Sequence, residues 1–107
     1  MAADGPPSLV KLAAQRAARG LEAATNGHDL DARTAALSPD FAARDDELRP
    51  LLARTARAEL IGTVANRTLL HLHLDDSDTR VVELLWREYD GRWLVEDARI
   101  FSLLPGE

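Results

Sequence analysis

The chain has no cysteine, which excludes disulfides and thiolate metal sites. It has no apolar run approaching the roughly 20 residues of a membrane-spanning helix. It also lacks an excess of positive charge: 18 acidic residues against 13 basic ones give a net charge of −5. A protein that grips a phosphate backbone needs a basic patch, so nucleic acid is not an expected partner. The opening residues, MAADGPPSLV, lack the basic-then-apolar plan of a signal peptide. No membrane partner is expected, and a cytoplasmic location fits. There is no glycine-rich phosphate loop, no Ser-His-Asp plan and no trustworthy pair of carboxylates, so no cofactor is expected. The abundance of Ala, Arg and Asp suits a high-GC bacterial genome.

What is present is ordinary for a globular domain: 107 residues, 46% hydrophobic and 29% charged. That length suits one domain with one core. Met1–Pro7 reads as a disordered tail, and residues 8–107 as a single domain. Ser8 is a candidate N-cap. After it, Leu9, Val10, Leu12, Ala13, Ala17, Leu21 and Ala24 recur at helical spacing. Gly20 inside that helix suggests a close approach to something. Asn26-Gly27 offers a left-handed stop, and Asp29 a cap for a second helix, LDARTAAL. SPDFAAR is a helical turn or a short strand. DDELRPLLARTARA reads as a third helix, its opening acids suiting the helix dipole.

After Ala58 the period becomes two. Four strands of a meander are predicted: Glu59–Ala65, Thr68–Asp75, Thr79–Tyr89 and Arg92–Leu103. Asp90-Gly91 is a two-residue hairpin turn. Helices followed by an antiparallel sheet make an α+β domain with the helices on one sheet face.

Counting outward from Asp90-Gly91 pairs Tyr89 with Arg92, Trp86 with Val95 and Leu84 with Asp97. A three-residue loop at Asp76–Asp78 pairs Asp75 with Thr79, Leu72 with Val82, Leu70 with Leu84 and His71 with Glu83. One face then carries Ile61, Ala65, Leu70, Leu72, Leu74, Val82, Leu84, Trp86, Trp93, Val95 and Phe101, and the helices should cover it. The other, mixed face carries Leu69, His71, His73, Val81, Glu83, Leu85, Arg87, Tyr89, Leu94, Glu96 and Ile100.

The stretch LLHLHLDDSD, Leu69 to Asp78, has the donor types of a metal site. On this register the aspartates are turn residues and the histidines lie on the mixed face, where Glu83 is the available third ligand. A cross-strand His–Glu pair is the simpler reading, so no metal is predicted. His28 and Asp29 read as helix-corner residues.

VVELLWREYDGRWLVEDARI, Val81 to Ile100, resembles the nuclear transport factor 2-like superfamily, which includes the ketosteroid isomerases and polyketide cyclase-like proteins. Members carry a long strand with a tryptophan, a DGRW hairpin and a last strand running out of it. LEAATNGHDLDARTAALSPDF resembles their first helices. The resemblance implies a cystatin-like cone, in which N-terminal helices pack in the concave face of a curved antiparallel sheet and the open end forms a pocket. Dimers through the outer sheet face are common in that superfamily. The chain is short for it, and its one tyrosine, Tyr89, falls on the mixed face. The isomerases' tyrosine–aspartate chemistry therefore does not carry over.

Three readings follow. The first is a dimeric module holding a small apolar ligand, with Trp86, Trp93, Val95, Arg99 and Phe101 lining the pocket, or docking a protein partner. Its homodimer interface comprises Leu69, His71, Val81, Glu83, Leu85, Arg87 and Leu94. The second is an isomerase, cyclase or hydrolase with Asp97 as general acid/base on the apolar face; the bland alternative for Asp97 is an ion pair. The third is an interaction domain whose cavity is filled by its own side chains.

Overall fold

Alanine-rich sequence with few β-branched residues up to Ala53, then alternating sequence after it, splits the chain into a helical and a strand half. The computed structural model describes residues 7–102, with side chains from Leu9 to Phe101. The expected tail lies outside that range except for Pro7, which opens the first helix, as does the expected end of the last strand at Leu103. Four helices come first: α1 (Pro7–Asn26), α2 (Leu30–Ala35), α3 (Pro39–Arg44) and α4 (Leu48–Ala53). Four strands follow: β1 (Thr55–Val64), β2 (Arg67–Leu74), β3 (Thr79–Tyr89) and β4 (Arg92–Ser102). They form one antiparallel sheet in the order β1-β2-β3-β4. The α+β arrangement, with α1 packed against the sheet, is as the sequence implied.

The helical face that goes inward differs in detail. Ala14, Ala18, Leu21 and Thr25 are buried, while Leu9 and Leu12 are more than half exposed. Small residues on the inner stripe let α1 lie close to the sheet. Ser8 is a helical position rather than a cap, because the helix already runs from Pro7. The left-handed residue after α1 is His28, with φ of 58°, and not Gly27. Asp29 caps α2, accepting from the Ala32 N–H at 3.1 Å. SPDFAAR resolves as a helix, with Ser38 Oγ accepting from the Phe41 N–H at 3.2 Å. The expected third helix is shorter than predicted, since Thr55 already belongs to β1. The Asp45 carboxylate accepts from the N–H groups of Glu47, Leu48 and Arg49 at its start.

Arg33 sits at the join of these helices. It is only 2% exposed. Its guanidinium donates to the Leu52 and Thr55 carbonyls at 2.5 and 3.3 Å and to the Thr25 carbonyl at 2.5 Å. Thr25 and Leu52 lie in the last turns of α1 and α4. Helix C-termini carry orphan carbonyls and the negative end of the dipole, so one buried cation serves two helices.

The sheet's inner face carries Leu70, Leu72, Leu74, Val82, Leu84, Trp86 and Val95, all buried. They meet Leu21, Leu37, Phe41, Leu48 and Leu52 in one core. Trp86 is fully buried, and its indole N–H donates to Thr68 Oγ1 at 2.8 Å. Asp90 and Gly91 both have positive φ, 51° and 83°, as a type I′ hairpin requires.

Two registers and the β1 face assignment depart from expectation. The β2–β3 loop is Asp75–Ser77, one residue earlier than predicted, so Leu70 pairs with Val82 and His71 with Val81. Ser77 supplies the left-handed position at φ of 71°, which three-residue hairpin loops use. The shift is even, so it leaves the faces intact. β4 bulges between Val95 and Asp97, so Leu84 pairs with Ala98 and Leu85 with Asp97. β1 bulges between Leu60 and Gly62, which leaves Ile61 55% exposed and off the core. Ala65, expected on the inner face, is instead the left-handed residue of the β1–β2 turn, φ of 53°.

Both sheet edges are engaged by earlier chain. Asn26 brackets Ala58 of β1, accepting from its N–H at 2.7 Å and donating to its carbonyl at 3.0 Å. Glu22 accepts from the Leu60 N–H at 2.6 Å. On the other side, Ser38 N–H donates to the Val95 carbonyl and Val95 N–H to the Ala36 carbonyl, at 2.9 and 2.8 Å.

Candidate functional site

Among the described residues, a groove and a cluster of ligating side chains bear most directly on function. The first is a groove between α1, α2 and the β3–β4 hairpin, of about 640 Å³. Its walls are Ala13, Ala17, Gly20, Leu21 and Ala24 from α1, Ala32, Ala35 and Ala36 from the α2 segment, and Trp86, Trp93 and Leu94 from the sheet. Among the described residues, Arg16 and Arg92 are its only ionisable side chains. The alanines make the groove: on facing helix and hairpin surfaces, methyl groups leave unfilled what leucines would fill. Gly20 belongs to this opening, because a Cβ there would meet nothing within 4 Å. The close approach expected at Gly20 is absent.

Of the predicted pocket residues, Trp86 and Trp93 line this groove, Trp86 mainly as core and Trp93 half-buried. Val95 is fully buried and paired alongside Leu37. Arg99 and Phe101 are elsewhere. The β4 bulge reverses the parity of every residue after it, so both face away from the helices, Phe101 at 45% exposure. Ala98 and Ile100 take the inward positions and pack on the core.

Asp97 is turned over by the same bulge. Its side chain is 57% exposed and lies 3.7 Å from Arg44 Nη1. A desolvated acid on the apolar face, expected from the unbulged register, is therefore not what the chain contains. Asp97 instead borders a shallow outer-face depression of about 240 Å³ with Arg67, Glu83, Leu85 and Arg99.

The second place is the outer sheet face at β1 and β2. His71 and His73 point there, with ring centroids 4.3 Å apart. Glu83 is paired across from Leu69 rather than His71. The residue opposite His71 on the other side is Glu59 of β1. One donor atom from each of Glu59, His71 and His73 lies within 4.8 Å of the others. Arg57 closes the rim, its Nη2 3.2 Å from His73 Nε2. Sequence reasoning missed Glu59 because it left β1 unregistered against β2.

The aspartates that follow the histidines are turn residues, as expected. Asp76 accepts from Arg54 Nη2 at 2.6 Å, and Asp76 Oδ1 accepts from the Asp78 N–H. The Arg80 guanidinium, then the Thr79 N–H, hold the Asp78 carboxyl below the usual carboxylate range.

The remaining predicted interface residues lie mostly on the outer face. Leu69 is 36% exposed, and Val81, Glu83 and Leu85 are half-buried. Arg87 is exposed and donates to Glu96 at 2.9 Å. Leu94 differs: it is 8% exposed within the single chain and offers a partner little area. Ile100, expected on this face, packs inward. No helix among the described residues is long and apolar enough to cross a membrane.

No family model, curated protein or solved structure matches the chain.

Proposed function

We propose that the chain is a non-catalytic binding module of the nuclear transport factor 2-like kind, holding a small apolar ligand with an anionic end and working as a homodimer. The observation that carries the ligand is the groove's lining: methyl groups and two indoles, with two arginines and, among the described residues, no carboxylate, histidine or hydroxyl. Such a surface binds and orients but has no group to move a proton. Burying an apolar body against it is favourable at about 25 cal/mol per Å². Arg16 and Arg92 supply the charge for a carboxylate or sulfonate. The helices-then-meander order and the long α1 against the sheet support the cone reading. The enzymatic alternative with Asp97 as acid/base loses its support, since that carboxylate is solvated and lies outside the groove.

An anilinonaphthalene sulfonate dye tests the groove, being an apolar bicycle with one anionic group. Saturable one-to-one binding, with a change in tryptophan emission, is expected. Gly20→Leu should weaken it at least about tenfold. The same change should raise helix stability by up to about 0.8 kcal/mol, so lost binding would not reflect lost folding. Arg16→Glu should weaken binding as well. No saturable binding, or unchanged affinity in Gly20→Leu, would overturn the reading.

The homodimer rests on the sheet's outer face, which no helix covers among the described residues. Phe101, Leu69, Val81 and Leu85 form its apolar part. Arg67 and Arg99 stand beside Glu83 and Asp97 around the outer depression. A two-fold axis would bring those opposite charges together around the apolar residues, as isologous contacts require. Light scattering at tens of micromolar should report a dimer. Leu85→Asp should give a monomer, because the carboxylate would be buried without a partner. A monomeric wild type sinks this half of the proposal and leaves the groove untouched.

A further inference from the structure

We propose that Glu59, His71 and His73 form a binding site for a divalent ion of the zinc class on the outer face of β1 and β2. Strand alternation puts His71 and His73, two residues apart, on one side of β2. The bulge at Ile61 brings Glu59 directly opposite His71. All three donor atoms then lie within 4.8 Å of one another. With bonds of about 2.1 Å, neighbouring donors around a tetrahedral zinc stand about 3.4 Å apart. His73 Nε2 and Glu59 Oε1 already stand at 3.3 Å. Small rotations of exposed and half-buried side chains would bring in the third donor.

Hydrogen bonding leaves the cluster only partly satisfied without an ion, although Arg57 Nη1 also lies 3.8 Å from Glu59 Oε1. His73 Nε2 faces the guanidinium of Arg57, which can only donate, and the carboxylate of Glu59, which when ionised can only accept. One ring nitrogen cannot accept from the first and donate to the second. His71 Nε2 is buried and has no hydrogen-bond partner, an arrangement that costs free energy unless something binds there. A cation accepting lone pairs from two neutral imidazoles and a carboxylate meets the donor requirements of all three residues.

Two imidazoles and one carboxylate suit Zn²⁺, and Ni²⁺ or Cu²⁺ by affinity order, over Mg²⁺ or Ca²⁺, which take oxygen. Three protein ligands leave a coordination position for water or an outside ligand. Arg57 is the opposing element. Its side chain is 60% exposed, so it is free to swing outward, and it sets the affinity by electrostatic repulsion.

The test is a Zn²⁺ titration of the intact chain, followed by imidazole ¹H–¹⁵N spectra and by competition with a chromophoric chelator. One equivalent should bind. The ring signals of His71 and His73 should move together, and those of His28 should not. Glu59→Gln should weaken binding more than tenfold, the scale of losing a ligand or its support. Arg57→Gln should tighten it. The proposal fails if sub-millimolar Zn²⁺ leaves the His71 and His73 signals unmoved, if His28 responds equally, or if Glu59→Gln binds as well as the wild type. The spectra on unmodified protein decide the first two outcomes whether or not any variant folds.

Discussion

Arg33→Met is expected to lower the stability of the chain by about 3 kcal/mol. The Leu52 and Thr55 carbonyls would lose the Arg33 donor, and the Thr25 carbonyl would keep only the His28 N–H at 3.1 Å; a buried group left without a donor costs roughly 1–3 kcal/mol. Methionine fills much of the volume and removes a buried charge, and that relief offsets part of the loss. The carbonyls decide the sign because backbone cannot be substituted away. Those of Thr25 and Leu52 belong to α1 and α4, so both helix ends lose their tie at once. For a domain near 100 residues each kcal/mol moves the melting point by roughly 4–8 °C, so a fall of more than about 10 °C is expected. Arg33→Lys should fall between the two, since one ammonium cannot span both carbonyls in the guanidinium's planar fork. Urea titration of the three proteins checks this. A loss under about 1 kcal/mol for Arg33→Met would show that the buried cation contributes no net stability.

Trp86→Ala should cost at least as much, about 3–5 kcal/mol. The indole is fully buried and lies between the core and the groove floor. Its removal forfeits apolar burial and leaves Thr68 Oγ1, itself buried, without its donor. Trp86→Phe separates the two effects. It keeps most of the ring packing but loses the hydrogen bond, and about 1–2 kcal/mol is expected. Thermal and urea unfolding provide the measurement. If Trp86→Phe equals Trp86→Ala in cost, the indole N–H and not the ring volume dominates, and the role assigned to Trp86 is wrong.

The residues that sequence reasoning placed well are those whose pattern has one interpretation. Leu70, Leu72, Leu74, Val82, Leu84 and Trp86 alternate strictly, and all six are buried as predicted. Asp90-Gly91 fixed Trp86 against Val95. The misplacements of Asp97, Arg99, Phe101 and Ile61 trace to bulges. An extra residue at Glu96 turned Asp97, Arg99 and Phe101 outward. A signal for it was present: apolar residues fall at 93 and 95, then at 98 and 100, and that change of parity is what a bulge produces. At β1 the bulge at Ile61 matters more, because without it Leu60 and not Glu59 would face His71. Its one local mark is Gly62, directly after the insertion, since a glycine inside a strand pattern often accompanies a bulge. Arg33 carried no signal. A charged residue in a short polar helix reads as surface, and only the meeting of α1, α2 and α4 shows otherwise. The groove's alanine walls depend on how α1 and α2 face the hairpin, which no local pattern states.

The bracket that Asn26 and Glu22 place on β1 has a consequence for how the protein tolerates crowding by its own copies. An open edge strand is a template on which another chain can grow a cross-β ladder. Here the outward N–H and C=O of Ala58 and the N–H of Leu60 are already satisfied by two side chains of α1. An incoming strand would have to evict a carboxylate and an amide before its first hydrogen bond formed. The middle of the β1 margin is thereby obstructed to fibril growth without a fifth strand, by two polar residues near the end of a helix whose opposite face is mostly alanine.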